Sequence, residues 1–275
     1  MLAAAALVAA AVLAAPTPQQ LLARHVPVLV YAKGEAFGAS PVEPFLAAAP
    51  VEDDHLDVTP CDPQSGPASV WCYSRLNGPP TVYGRAVRTG NRIVLSYWLF
   101  YPYNIWQVGT PERRVIWRSH EGDWEEVVVV LDARGTPLQV GYSQHCGGVR
   151  RLWRLAPKAG ARPVAYVALG SHANYPARGT FRHELRCWPA AARVVFTALK
   201  TTPVDVTSRG ATVRPRLVPL APAPAWLAYP GAWGETGWFH AGDADISYGL
   251  GPQGPAFHAS WRDPLRTLAG WPLRR

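Results

Sequence analysis

The chain has 275 residues, of which 48% are hydrophobic, 17% are charged and 11% are aromatic. This composition supplies enough apolar side chain for a large core and excludes an intrinsically disordered chain. The net charge of +8 comes mostly from scattered arginines, with no basic stripe or nucleic-acid-reading motif, so we expect no nucleic-acid partner. The positive charge is compatible with peripheral contact with an acidic membrane surface.

The chain begins with an unbroken apolar run from Met1 to Ala15, which stops at Pro16. This run is shorter than the roughly 20 residues needed to span a bilayer. Its small residues near the end are typical of a signal peptide over residues 1–14, although no basic residue precedes the run. A short membrane anchor and a buried helix are the alternatives. We therefore expect a protein that is secreted or held in the cell envelope.

The next segments predict short elements and then a sheet. Residues 21–31 predict a helical turn that leads into a strand, residues 41–46 begin a second short helix, and residues 53–80 form a long polar loop. Gly90, between two apolar runs at 82–88 and 92–100, predicts a hairpin because glycine readily adopts the positive φ of a tight turn. Further strands are predicted over residues 124–131, 139–144, 162–169 and 193–197.

These strands predict an all-β fold, an antiparallel and jelly-roll-like β-sandwich with long ordered loops and a few short helices. The 28 prolines and 24 glycines argue against a helical bundle. Residues 127–131 are apolar on both faces, as expected of a central strand covered by a second layer. From about Pro203 the chain is rich in Pro, Gly and Trp without a period, so we expect an irregular wrap over one domain of residues 15–275.

The four cysteines form an even set, which agrees with an oxidising compartment. Of the three pairings we favour Cys61 with Cys72, which closes a short loop, and Cys146 with Cys187. A zinc site is the alternative. It is weak because no two cysteines have the C-x2-4-C spacing that presents two thiolates to one ion.

The segment Ser119-His120-Glu121-Gly122-Asp123-Trp124-Glu125-Glu126 places polar groups directly before an apolar strand. In an extended chain Asp123 and Glu125 share one face, and His120 reaches them from the preceding loop. Two such close carboxylates need a proton, a bridging arginine or a cation. A divalent cation held by His120, Asp123 and Glu125 satisfies all three groups, and an arginine-bridged strand end is the alternative.

Two later predicted strands also end in histidines, His145 and His172, each followed closely by small residues. If these ends meet at one rim of the sandwich, they form a polar pocket with aromatic walls, although each histidine alone could equally serve packing. The predicted pocket residues are Tyr101, Tyr103, Ser143, Ser171 and Asn174. We expect both histidines at the rim of the metal site, as further ligands or as residues that orient the ligands.

Several segments resemble the vacuolar protein sorting-associated protein 62 family. They are His-Glu-Gly-Asp-Trp-Glu at 120–125, Tyr-Ser-Gln-His at 142–145, Ala-Leu-Gly-Ser-His-Ala-Asn-Tyr at 168–175 and Tyr-Pro-Gly-Ala-Trp-Gly-Glu at 229–235. Residues 23–29, with Glu35 and Glu43, fit the same family. Its name records a sorting phenotype and implies no reaction.

The His-x-x-Asp-Trp-Glu pattern also resembles the Gly-His-Arg-His-Asp-Trp-Glu signature of necrosis- and ethylene-inducing-like proteins, which are secreted β-sandwich cytolysins. The resemblance implies a divalent-metal site at His120, Asp123 and Glu125. A further family aspartate corresponds to Asn104, a neutral replacement that would lower the affinity for the metal. The second signature histidine is replaced by Gly122, so the resemblance does not carry cytolytic activity over to this chain.

One imidazole and two carboxylates favour magnesium or calcium, with manganese and zinc as alternatives. The leading interpretation is an exported, non-enzymatic protein that uses the metal to recognise a small polar ligand, a glycan or a lipid head group. The alternative is a metal-dependent hydrolase, and the sequence does not decide whether the protein is an enzyme. The segment around Ser171 lacks the second glycine of a G-x-S-x-G elbow, and His120-Glu121 lacks the second histidine of a helical zincin.

Overall fold

The computed structural model describes residues 15–109, 115–145, 147–183, 190–198, 200, 202–241 and 244–274. Cys61 and Cys72 form a disulfide, with their Cα atoms 5.7 Å apart, which confirms this pairing. The predicted signal peptide, Cys146 and Cys187 lie outside the described residues. Within these ranges no helix combines the length and apolar character that a membrane crossing requires.

The structure consists mainly of strands. In chain order they are β1 (Val28–Tyr31), β2 (Val51–Glu52), β3 (His55–Leu56), β4 (Thr81–Thr89), β5 (Arg92–Gly109), β6 (Val115–Asp132), β7 (Pro137–Gln144), β8 (Gly147–Leu152), β9 (Lys158–Ala159), β10 (Arg162–Val167), β11 (Asn174–Tyr175), β12 (Gly179–Arg182), β13 (Val204–Thr207), β14 (Thr212–Val213), β15 (Arg216–Pro219), β16 (Thr236–Ala241) and β17 (Ala244–Leu250). The helices are α1 (Pro18–His25), α2 (Glu43–Ala48), α3 (Val70–Tyr73), α4 (Ala190–Ala198), α5 (Ala259–Arg262) and α6 (Pro264–Gly270).

The larger sheet is built on the long antiparallel pair β5 and β6, whose register runs from Arg92 opposite Asp132 to Gly109 opposite Val115. The order of this sheet is β15-β4-β5-β6-β16-β17. The other edge of β6 is shared: β16 pairs with its residues 116–119, and β7 pairs with its residues 127–131. Residues 120–126 therefore lie at a fork, where one edge partner has ended and the next has not begun.

A smaller sheet, ordered β11-β10-β1-β14, covers one face of the larger one. Leu29 of β1 and Val167 of β10 share one buried cluster with Val127 and Val129 of β6. The opposite face of β6 packs its alternate valines against Leu268 and Trp271 at the C-terminal end of the chain. The predicted all-β antiparallel sandwich with a few short helices is thus confirmed, with parallel pairing only of β1 with β10 and of β15 with β4 among the described strands.

The predicted strand over residues 193–197 was wrong, because this segment belongs to helix α4. Its side chains include the fully buried Phe196 and the exposed Val194. A short apolar run fits a strand and a buried helix equally well, and the neighbouring alanines favour the helix.

The prediction of irregular coil from about Pro203 was also wrong, since β13 to β17 lie in this part of the chain. Three of these strands pair with strands far away in sequence, β14 with β1, β15 with β4 and β16 with β6, while β13 pairs with β12, the strand before it. Short strands whose partners are distant show little periodicity of their own, because pairing and packing decide their conformation.

Candidate functional site

The candidate site lies at the fork beside β6. A cavity of about 570 Å³ opens there, and it is lined by His120, Asp123 and Glu125 of β6 together with Asn104 of the neighbouring β5. The sequence predicted a loop position for His120, but the structure places it inside β6, opposite Asn104. The difference arises because β5 and β6 extend well beyond their apolar stretches.

Gly122 allows the strand to bend at the site. Its φ of +51° lies in the left-handed region, and a Cβ there would lie 2.0 Å from the carbonyl oxygen of Trp233. Only glycine fits such a position without movement of the backbone.

His120 has the protonation state that a metal ligand needs. Its Nδ1 lies 3.0 Å from the carbonyl oxygen of Glu121 and 2.8 Å from that of Gly122, so Nδ1 carries the proton and donates it. Burial lowers the pKa of His120 to about 4, which keeps the ring neutral at neutral pH. The lone pair then resides on Nε2, and backbone contacts of this kind also hold the ring of a metal-binding histidine in place.

Asn104 brings an amide group to the lining of the same cavity. Its Nδ2 donates to Asp123 Oδ2 at 3.2 Å and to the carbonyl oxygen of Ser171 at 3.3 Å. Its Oδ1 is buried without a hydrogen-bond partner. A buried amide oxygen without a partner costs free energy, and hard cations such as Ca²⁺ accept amide oxygens as ligands. This orphaned atom fits a bound cation.

The two carboxylates of the site interact strongly. Burial, followed by the charge of Asp123, raises the pKa of Glu125 well above its ordinary range. The hydroxyl of Ser143 in β7 donates to Glu125 Oε2, and its oxygen also accepts from the backbone N–H of Glu126. A divalent cation between Asp123 and Glu125 would offset the repulsion that now opposes ionisation of both.

His172 lies behind Asp123 and holds it in place. Its Nδ1 is 2.8 Å from Asp123 Oδ2, its Nε2 is 3.5 Å from Glu35 Oε1, and its ring stacks on Tyr101 at 3.9 Å. Burial alone would lower the pKa of His172, but the charge of Glu35 and the hydrogen bond to Asp123 raise it to about 9. The resulting imidazolium bridges two buried carboxylates and helps to lower the pKa of Asp123 against the effect of burial.

The predicted pocket residues fall into two groups. Ser143 and Ser171 line the cavity. Tyr101, Tyr103 and Asn174 are fully buried and are not among its lining residues, so their predicted place in the wall is corrected. The two tyrosine rings pack inward instead, where each has a stacking partner. Tyr101 stacks on His172, and Tyr103 stacks on Tyr73 with ring centroids 4.1 Å apart.

His145 lies in the cavity wall but is bonded elsewhere. Its Nε2 is 3.0 Å from Asp205 Oδ2, and Asp205 belongs to β13. His145 thus contacts a carboxylate that is not in the predicted ligand set of His120, Asp123 and Glu125. The sequence did not indicate Asp205, because the residues around it form no motif. Only the folding of the chain brings β13 close to the cavity.

Glu121 is a buried carboxyl group that the sequence analysis did not single out. Its Oε1 accepts from the hydroxyl of Tyr73 at 2.7 Å and from the backbone N–H of Val58 at 3.1 Å, and its Oε2 accepts from the backbone N–H of Glu235 at 3.2 Å. Burial raises its pKa to about 8 in spite of these donors. Glu121 thus connects helix α3 and two loops to the strand that carries the site.

The chain Ser119–His240–Asp245 has the order of a hydrolase triad, with 2.8 Å between Ser119 Oγ and His240 Nε2 and 2.9 Å between His240 Nδ1 and Asp245 Oδ1. No motif in the sequence indicates it. Ser119 is fully buried, contacts the carbonyl oxygen of Pro63 and is not among the residues that line the cavity. A nucleophile must reach a substrate, so this chain of contacts is structural.

No protein-family model matches the chain. Vacuolar protein sorting-associated protein 62 of Saccharomyces cerevisiae is 27% identical over 174 residues, which cover 54% of this chain and 36% of that protein. The match spans little more than a third of the length of this relative.

Solved structures of necrosis- and ethylene-inducing-like proteins are similar at low identity. NLPPya in complex with glucosamine has a TM-score of 0.47 and 15% identity, and the match covers 94% of this chain and 96% of that one. The non-toxic HaNLP3 protein has a TM-score of 0.40 and 15% identity, over 79% and 83% of the two chains. Both resemblances that the motifs indicated are confirmed as similarities.

Proposed function

We propose that this protein is an exported β-sandwich that binds one divalent cation through His120, Asp123, Glu125 and Oδ1 of Asn104, and uses it to recognise a glycan. The observation that carries the proposal is that a neutral imidazole, two carboxyl groups and the amide of Asn104, whose Oδ1 is buried without a hydrogen-bond partner, belong to residues that line one cavity. The Cys61–Cys72 disulfide supports an oxidising destination and so the proposed export.

The donor set favours a hard cation. Three of the four proposed ligand groups offer oxygen, which suits magnesium or calcium better than zinc, with manganese between them. The bound cation would supply a positive charge that coordinates ligand oxygens. Because Asn104 is neutral, the four side chains carry at most two negative charges, so we expect weaker binding than at a site with three carboxylates.

The cavity suits a sugar because it combines polar groups with aromatic rings. Trp98, Trp124 and Trp271 contribute to its lining beside the acidic residues. Sugar hydroxyls can coordinate a cation or accept hydrogen bonds, while the apolar face of a sugar ring packs on an indole. A volume of about 570 Å³ is adequate for one or two sugar rings. A lipid head group with the same hydroxyl chemistry is the alternative ligand.

The experiment is a binding titration of the purified protein with immobilised glycans, in magnesium or calcium and again in EDTA. We expect binding with metal and its loss in EDTA, while the circular dichroism spectrum stays unchanged. Trp98→Phe, which trims the cavity wall but keeps an aromatic ring at this buried position, should weaken binding, and Trp71→Phe, at an exposed tryptophan outside the cavity lining, should not. Binding that is equal in EDTA would contradict the proposal, and turnover of ester or phosphoester substrates would favour the hydrolase.

The two histidines provide a matched pair of variants. His172 contacts Asp123, so His172→Ala should weaken binding of the divalent cation by about 10- to 100-fold, as loss of a residue that orients a ligand typically does. His145 contacts Asp205, which is not among the proposed ligands of this cation, so His145→Ala should leave this affinity within about twofold of wild type. Isothermal titration with magnesium or calcium measures both. Equal losses in the two variants would contradict the separate placement of these histidines.

A further inference from the structure

A second cluster of ligand groups surrounds Asp205, apart from the four groups of the proposed function. Asp205 Oδ2 lies 3.0 Å from His145 Nε2, 2.8 Å from His183 Nε2 and 2.6 Å from the hydroxyl of Tyr175. Its Oδ1 accepts from the hydroxyl of Ser171 at 2.6 Å. Asp205 is fully buried, and the side chains of the two histidines are exposed by only 7% and 10%.

The crowding at Oδ2 is unusual for a set of hydrogen bonds. A carboxylate oxygen offers about two lone-pair sites, yet three polar hydrogen donors converge on this one atom. The hydroxyl of Tyr175 also lies 3.0 Å from His183 Nε2, so these groups compete for the same few protons. A cation that binds the two imidazole nitrogens and the carboxylate oxygen would remove this competition.

We propose that His145, His183 and Asp205 form a zinc site, separate from the divalent-cation site of the proposed function. One ligand atom from each residue lies within 4.8 Å of the others. In a tetrahedral site with metal–ligand distances of about 2.0–2.1 Å, neighbouring ligand atoms are about 3.3 Å apart. The contacts of 2.8 Å and 3.0 Å to Asp205 therefore need to open by only a few tenths of an ångström.

The ligand types select the metal. Two imidazoles with one carboxylate suit zinc, whereas magnesium and calcium prefer a shell made of oxygen. The hydroxyl of Tyr175 lies beside the three ligands, where it or a water can complete the shell. The oxygen-rich groups around Asp123 prefer magnesium or calcium. We therefore expect the two sites to bind different metals.

The site would tie together parts of the chain that are distant in sequence. His145 follows β7, His183 follows β12, Asp205 belongs to β13 and Tyr175 belongs to β11. Ser171 links this site to the first one, because its hydroxyl donates to Asp205 and its carbonyl oxygen accepts from Asn104. Zinc bound at Asp205 would thus stabilise the wall of the cavity. It would not be part of the cation site that we propose for glycan recognition.

The test is a zinc titration of the EDTA-stripped full chain against a chromophoric chelator. Wild type should bind one equivalent of zinc at this site and gain melting temperature with it. His183→Gln keeps an N–H that can donate to Asp205 but loses the imidazole ligand, so it should fold while its zinc affinity falls by about 100-fold or more. Asp123→Ala, which alters only the first site, should retain the zinc.

Three results would overturn the proposal. They are the absence of tight zinc binding to wild type, zinc binding to a folded His183→Gln variant that equals wild type, and loss of zinc in Asp123→Ala but not in His183→Gln. The last result would place zinc among the ligands of the first site. Failure of magnesium or calcium to bind would leave the zinc result unaffected, so the two proposals can fail separately.

Discussion

Replacing Glu121 by alanine is expected to lower the free energy of unfolding by about 3–5 kcal/mol, the largest stability effect of any single change at the site. The substitution leaves three donors without an acceptor, namely the hydroxyl of Tyr73 and the backbone N–H groups of Val58 and Glu235. Each buried donor without a partner costs about 1–3 kcal/mol, and water that enters the space offsets part of the sum.

Chemical denaturation followed by tryptophan fluorescence measures this effect. Glu121→Gln keeps one oxygen but turns an amide N–H₂ toward a donor, so its loss should be smaller, about 1–3 kcal/mol. Glu52→Ala, which removes an exposed carboxylate from β2, is the control and should change stability by less than about 0.5 kcal/mol. If Glu121→Ala were as stable as this control, helix α3 and the two loops would not depend on the buried carboxyl group.

The second large effect concerns metal binding. Asp123→Ala should weaken binding of magnesium or calcium by about 100-fold or more, because it removes a charged ligand and also the group that His172 and Asn104 hold in place. Asp123→Asn keeps the shape but loses the charge, so it should show a smaller but clear loss. Isothermal titration of the folded variants gives both values.

Glu52→Gln again serves as the control for a lost negative charge, since Glu52 lies on the surface. It should bind the cation like wild type, because charges exposed to solvent are screened over about 10 Å at 0.1 M salt. Equal affinity of wild type and Asp123→Ala would remove Asp123 from the ligand set and with it the proposed site.

Much of the sheet was predictable because its strongest signals are local. Gly90 marks the hairpin between β4 and β5, and the apolar run at 127–131 marks a strand with cover on both faces. Helix α4 was missed since a short apolar run does not distinguish a helix from a strand. The strands after Pro203 were missed because their pairing is set by distant partners rather than by a local pattern.

At the site, the spacing of His120, Asp123 and Glu125 was visible in the sequence because one strand carries all three. Glu121 and Asp205 were not, since their importance depends on which loops and side chains the fold brings to them. A buried carboxyl group that accepts hydrogen bonds from donors distant in sequence has no recognisable pattern in the residues around it. The placement of His145 with Asp205, away from Asp123, has the same long-range origin.

The metal site at Asp123 is tested most sharply by isothermal titration of the metal-stripped wild-type chain with magnesium, calcium, manganese and zinc, in parallel with Asp123→Ala and His183→Gln. We expect one equivalent of magnesium or calcium to bind to wild type and to His183→Gln, and none to bind with comparable affinity to Asp123→Ala. If wild type binds none of the four cations in a manner that depends on Asp123, the proposed site at His120, Asp123 and Glu125 is contradicted.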